Sequence, residues 1–116
     1  MMPIKMLNKI WRLIKMSRMN KEDAKNILGN VPEDKVFWLN DGKVLKNLQE
    51  LSAALADVSE ETFAYHANKE KNDFKSWVNE VLGDKKLADN ISRVKSREFM
   101  LNKVNKRINQ LNSLIK

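Results

Sequence analysis

Residues that favour helix starts recur along this 116-residue chain, each just before a run of apolar residues at helical spacing. Asn, Ser and Asp side chains accept hydrogen bonds from the unpaired backbone N–H groups of a helix's first turn. Gly29 and Gly83 are placed to end the helices that precede them. These signals predict a mainly α-helical bundle of short helices. The predicted starts are Asn20, Asn47, Ser59, Asn72, Asp84 and about Ser96.

One segment, at about residues 35–45, departs from the helical pattern and predicts a short β-hairpin. Residues 36–38 are Val, Phe and Trp, which favour strands. They precede Asn40-Asp41-Gly42, a tight-turn sequence whose glycine can adopt a positive φ. Because a two-stranded hairpin is only marginally stable alone, we expect Phe37 or Trp38 to pack on the helices.

Both ends of the chain predict amphipathic helices. In residues 4–16, apolar residues recur at three- and four-residue steps, with basic and polar residues on the opposite side. Near the C-terminus, apolar residues alternate in the same steps, as in the a/d seam of a coiled coil. That seam either packs on the chain's own body or pairs with a second copy to form a homodimer. Its residues are Leu101, Val104, Ile108, Leu111 and Ile115.

We therefore divide the chain, which has room for one domain, into three parts. Residues 1–19 form a basic amphipathic N-terminal helix, residues 20–95 form a helical core with the hairpin, and residues 96–116 form a long basic C-terminal helix.

The net charge of +7 comes from the two ends of the chain. Residues 1–21 contain six basic and no acidic residues, residues 95–116 contain six basic and one acidic, and the middle contains ten basic and fourteen acidic. A merely solvated helix usually interleaves the two signs, so the cationic ends indicate a polyanionic partner. We expect contacts to phosphates from Lys5, Lys9, Arg12, Lys15, Arg18, Lys103, Lys106 and Arg107.

These patterns favour a non-enzymatic protein that binds nucleic acid, either ribosomal RNA and the ribosome or DNA. No helix-turn-helix, zinc-finger or RNA-recognition motif occurs, so we expect binding to the backbone rather than to a specific sequence. The alternative is an adaptor that docks on a membrane surface or a partner protein through the N-terminal amphipathic helix, which carries Trp11.

Other classes of function are disfavoured by what the sequence lacks. There are no cysteines, which excludes disulfides and thiolate metal sites. The single histidine, His66, has no acids at metal-ligand spacing, so we expect no metal and no cofactor. Its expected role is to link its helix end to the next segment by hydrogen bonds; an enzyme built on His66, Asp73 and Tyr65 is the third and least favoured hypothesis. No secretory signal or membrane-spanning run is recognisable, so we expect a cytoplasmic protein.

Three stretches, at residues 37–48, 63–68 and 71–78, together resemble a family of small uncharacterised domains found mainly in archaea and uncultivated bacterial lineages. The resemblance covers about residues 36–100 and implies a small helical domain, without any catalytic assignment. Ala67 stands where the family pattern has Val. The motif residues are the Asp-Gly turn (Asp41, Gly42), the histidine (His66) and an Asn-Asp-Phe-x-x-Trp step (Asn72, Asp73, Phe74, Trp77).

Overall fold

The computed structural model describes residues 19–116, and the predicted N-terminal helix lies outside them. Within these residues the fold comprises six α-helices and one two-stranded hairpin, which confirms the prediction of a mainly α-helical fold with a short hairpin. The helices are α1 (Lys21–Leu28), α2 (Leu48–Asp57), α3 (Glu60–His66), α4 (Asp73–Trp77), α5 (Lys85–Ile91) and α6 (Arg97–Ile115). A 3-10 turn at Glu33–Lys35 precedes the strands β1 (Phe37–Trp38) and β2 (Val44–Leu45), and a π-helical turn at Val78–Leu82 extends α4.

Each helix of the described chain begins where the sequence predicts a cap. The Asn20 side chain accepts a hydrogen bond from the Asp23 backbone N–H at 2.8 Å, and Asp23 in turn accepts one from the Asn20 N–H, which completes a capping box. The equivalent side-chain caps of the later helices are Asn47, Ser59, Asn72, Asp84 and Ser96. Gly83 ends the π-helical turn with a φ of 76°, a left-handed conformation that favours glycine.

The hairpin is antiparallel, with Phe37 paired to Leu45 and Trp38 paired to Val44. Gly42, in the turn between the strands, has a φ of 96°. Successive side chains of a strand point to opposite faces, so only one of the two aromatic residues of β1 can enter the core. Phe37 is buried and stacks on Phe74 with ring centroids 5.4 Å apart, whereas Trp38 faces solvent.

One hydrophobic core joins the hairpin to all the helices of the described chain. Helix α6 packs along α1, α2 and α5, and its residues Met100, Val104 and Leu111 are fully buried in that core. At about 1.5 Å per residue, the 19 residues of α6 span roughly 28 Å, so this helix forms one long side of the bundle.

Candidate functional site

The basic residues expected to bind phosphates fall into two groups. Five of them, Lys5, Lys9, Arg12, Lys15 and Arg18, lie outside the described residues. The other three are on α6, where Lys103 and Lys106 are exposed and Arg107 is buried.

Arg107 therefore does not lie on the exposed face where the sequence analysis places it. It is three residues after Val104 and four before Leu111, both fully buried, so helical geometry turns it toward the core. Its Nε lies 2.7 Å from Asp84 Oδ2 and its Nη2 lies 3.0 Å from Asp84 Oδ1. This bidentate ion pair stabilises the packing of α6 against the start of α5. Because its guanidinium group is buried and paired, Arg107 is not available to a phosphate.

The predicted apolar seam of α6 faces the body of the same chain. Val104 and Leu111 are fully buried, while Leu101, Ile108 and Ile115 are partly buried against the core. The buried residues of α6 are Met100, Val104, Arg107 and Leu111. The buried face is therefore rotated from the predicted seam toward Met100 and Arg107. Val104 and Leu111 are thus not accessible to a second copy of the chain.

The exposed side of α6 carries three residues of different chemistry in one row. Lys103 and Lys106 follow Phe99 by four and seven residues, a spacing that places all three on one helix face. Phe99 is 64% exposed. Neither lysine forms an ion pair with any residue between 19 and 116, and Glu98 is the only acid of this helix.

The family motif forms a second cluster, where the hairpin meets α3 and α4. The Asn40 backbone N–H donates to His66 Nε2 at 2.9 Å, and His66 Nδ1 lies 2.9 Å from Asp73 Oδ2. A backbone N–H can only donate, so Nε2 is the acceptor and Nδ1 carries the proton that bonds to Asp73. His66 is 4% exposed, and both ring nitrogens link chain segments, as expected from the sequence.

Asp73 is the charged member of this cluster. Partial burial of its carboxyl group favours the neutral form, but hydrogen bonds from Lys71 and His66 outweigh that effect and lower the pKa of Asp73. The Lys71 Nζ atom lies 2.9 Å from Asp73 Oδ2 and 4.5 Å from the centre of the Tyr65 ring. The carboxylate is therefore ionised at neutral pH and its partner lysine is held against an aromatic face.

The remaining motif residues hold the cluster together. Asn72 caps α4 through its side-chain oxygen, and its amide nitrogen donates to the Ile91 carbonyl at 2.9 Å. Trp77 Nε1–H donates to the Lys35 carbonyl at 2.9 Å, and Phe74 is buried between Phe37 and Phe63. These contacts join α4 to the hairpin and to α5.

The Asp-Gly turn completes the motif. Asp41 Oδ1 accepts a hydrogen bond from the Lys43 backbone N–H at 3.0 Å, which tightens the turn that Gly42 permits.

No three His, Asp or Glu side chains between residues 19 and 116 converge on a point where a metal ion could bind. Across that same range, no helix combines the length and the apolar character needed to cross a bilayer. Tyr65 is 54% exposed, and its ring lies edge-on to the ring of His66 with the two centroids 5.0 Å apart.

Two features were missed by reasoning from the sequence. Asp84 is identified as a helix cap there, but the structure also makes it the buried partner of an arginine 23 positions later. The available signal is the spacing of Arg107, which places it on the same helix face as Met100, Val104 and Leu111. An arginine on a buried face requires an acidic partner, which could have been sought in the sequence. Trp38 is the second feature, because it remains 67% exposed on the hairpin.

Comparison with protein-family models gives one match. The model described as "Family of unknown function (DUF5752)" matches residues 31–113. Neither the curated proteins nor the solved structures contain a match to the chain. The matched region includes the hairpin, the motif cluster and most of α6, and the chain belongs to this family.

Proposed function

We propose that this member of the DUF5752 family is a non-enzymatic binding protein that contacts the phosphate backbone of RNA or DNA through its basic terminal segments. The observation that carries the proposal is the separation of charge along the chain. Residues 1–18 contain five basic and no acidic residues, so they supply +5 of the net +7. A segment of one sign attracts a polyanion and accelerates its association.

The exposed face of α6 supports the same proposal. Lys103 and Lys106 have no ion-pair partner among residues 19–116, so their charges are available to a ligand. Phe99 shares their face and is 64% exposed, so this face presents an aromatic ring, which can stack on a base, beside the two charges. Exposed Asn102 and Asn109 add hydrogen-bonding groups on the same helix.

The motif cluster supports a binding protein rather than an enzyme. A general acid or base must exchange a proton with a substrate within hydrogen-bond reach. Both nitrogens of His66 instead bond to groups of the protein, and the ring is 4% exposed. The pairing of His66 with Asp73 is accounted for by its structural contacts.

Binding of labelled RNA and DNA duplexes, followed by fluorescence anisotropy, tests this proposal. Replacing both Lys103 and Lys106 by Ala removes two phosphate contacts and should lower the affinity roughly 60-fold at about 0.1 M salt, because each contact contributes about 0.9 to the salt dependence of log K. The Lys85→Ala/Lys86→Ala variant is the matched control, because it removes the same charge from the exposed surface of α5. Equal losses in the two variants, or none in either, would contradict the role of the α6 face.

The N-terminal segment needs its own variant. Replacing Lys9, Arg12 and Lys15 by Gln in the full chain keeps the amphipathic pattern but removes three charges. At the same salt concentration, this variant should bind RNA and DNA duplexes more weakly than the wild type. A pull-down from native lysate, with and without nuclease, then identifies the partner as ribosomal RNA, as DNA or as neither.

A second candidate function rests on the amphipathic pattern of residues 4–16, which is also typical of helices that dock on anionic membranes or partner proteins. Sedimentation with anionic and neutral lipid vesicles distinguishes the two. Retention on vesicles that the Trp11→Ala change abolishes, together with no binding to nucleic acid, would favour the adaptor.

A further inference from the structure

The exposed side chain of Trp38 lies on the first strand of the hairpin. Its neighbours Phe37 and Leu39 are buried, so the alternation of the strand directs Trp38 into solvent. The backbone around it is fixed by the pairing with Val44 and by the hydrogen bond from the Asn40 N–H to His66. The Trp38 ring is therefore 67% exposed at a defined position on the surface, and most of its area is not buried in the core.

A cleft of about 220 Å³ lies beside this ring. It is lined by Val36, Phe37, Trp38, His66, Asp73 and Trp77. Asp73 is the acidic residue that lines the cleft, and its side chain is 36% exposed. Its Oδ2 atom is taken by His66 and Lys71, whereas within residues 19–116 its Oδ1 atom has no hydrogen-bond donor. A carboxylate oxygen of this kind accepts hydrogen bonds from the amino group of a nucleobase.

A second hollow has a volume of about 310 Å³. Lys71 lines this hollow, and its Nζ atom lies 2.9 Å from Oδ2 of Asp73, which lines the aromatic cleft, so the two hollows are neighbours. Three lysines, Lys69, Lys71 and Lys75, surround the second hollow with one acid, Glu70. The Asn68 side chain fixes this loop by accepting from the Glu70 and Lys71 backbone N–H groups at 2.9 and 3.3 Å. The hollow therefore presents positive charge and polar groups on an ordered turn, which suits a phosphate.

We propose that these neighbouring hollows form a second site, which binds a nucleotide unit of single-stranded nucleic acid with its base on Trp38 and its phosphate at Lys75. The inference rests on the proposed function and adds a site on the body, separate from the basic termini. A stacking aromatic side chain next to a lysine-lined groove is the combination that recognises single strands without a sequence code. Stacked bases inside a duplex cannot reach such a ring, so the site distinguishes single strands from duplexes.

Anisotropy measurements with a labelled single-stranded oligonucleotide and with a duplex of equal length test this site on the full chain. Trp38→Ala should lower the single-strand affinity by roughly 5- to 150-fold, the range for loss of one stacked base. The duplex affinity should stay within about twofold of the wild type, since the duplex is bound through backbone phosphates alone. Because Trp38 is exposed, the variant retains its core; Trp38→Phe, which keeps an aromatic face, should recover most of the single-strand affinity.

The phosphate end of the site has its own pair of variants. Lys75→Ala should weaken single-strand binding, whereas Lys85→Ala, the same change outside both hollows, should not. Competition with a mononucleotide identifies the source of the ligand: displacement by oligonucleotides alone supports a strand, and equally strong displacement by a mononucleotide supports the site but assigns it to a free nucleotide.

The outcomes separate this inference from the proposed function. If Trp38→Ala and Lys75→Ala bind the single strand as tightly as the wild type, the second site is refuted while binding through the termini stands. If the wild-type chain binds neither form of nucleic acid, both proposals are refuted.

Discussion

The buried ion pair between Arg107 and Asp84 gives the sharpest test of how α6 is held. Asp84 is fully buried and the Arg107 side chain is 8% exposed, so neither charge is stabilised by water. Replacing Arg107 by Met keeps an unbranched apolar side chain but leaves the carboxylate with a single donor, the Leu87 backbone N–H at 3.2 Å. Breaking a buried pair by removing one partner costs about 3–5 kcal/mol. We predict a loss of this size in the free energy of unfolding, measured by urea denaturation.

The double variant Asp84→Asn/Arg107→Met removes both charges of the pair. Asn keeps the side-chain oxygen that caps α5 but carries no charge, so the penalty of an unpaired buried carboxylate disappears. The double variant should be more stable than Arg107→Met alone. Lys106→Met, the same change one residue away on the exposed face, should alter stability by less than about 0.5 kcal/mol. A loss below about 1 kcal/mol for Arg107→Met, or a double variant less stable than that single variant, would refute the account of the pair.

Four further predictions follow from other contacts. Because its folded-state pKa lies below the usual 3.8, Asp73 stabilises the fold above that pH, and the stability difference between wild type and Asp73→Asn should shrink as the pH falls through the folded pKa, measured by denaturation from pH 7 to pH 2. Gly83→Ala, at a φ of 76°, should cost about 1–2 kcal/mol, and Gly83→Asn should cost less because Asn tolerates the left-handed region; thermal melts of both check this order. His66→Gln should lower the unfolding free energy by about 1–3 kcal/mol in urea titrations, because Gln cannot replace both hydrogen bonds of the ring in the same geometry. Light scattering should give the mass of a single chain, since Val104 and Leu111 are buried within it; twice that mass would contradict the intramolecular packing of α6.

The local features of the fold are predictable from sequence because each depends on a few neighbouring residues. Asn47 and Ser59 cap the helices that follow them, and Gly42 and Gly83 adopt the positive φ that only a flexible backbone allows at low cost. Propensity and capping act within about one turn of helix, so the sequence contains the whole interaction.

The side of a helix that meets the body is harder to predict. Residues 107 and 108 both flank the apolar row of α6, and the sequence pattern assigns Ile108 to the core and Arg107 to solvent. The structure instead buries Arg107, because its charge is compensated by Asp84, 23 positions earlier in the chain. Such an ion pair forms only when distant segments of the chain come together, so it cannot be predicted from the pattern of neighbouring residues.

The same limit applies to the motif cluster and the hairpin. His66 and Asp73 are seven residues apart across a helix break, so their contact depends on the loop between α3 and α4. Strand alternation shows that Phe37 and Trp38 face opposite ways, but which of them enters the core depends on how the hairpin docks. The exposed Trp38, and with it the second proposed site, could therefore be recognised only in the structure.

The dependence of nucleic-acid affinity on salt tests the central proposal most directly. If the basic termini bind phosphates, the logarithm of the association constant for a duplex falls linearly with the logarithm of the salt concentration, by about 0.9 per phosphate contact. Lys103→Ala/Lys106→Ala should reduce this slope by about 1.8, and the Lys85→Ala/Lys86→Ala control should leave it nearly unchanged. An affinity that stays constant between low and high salt would contradict the proposal.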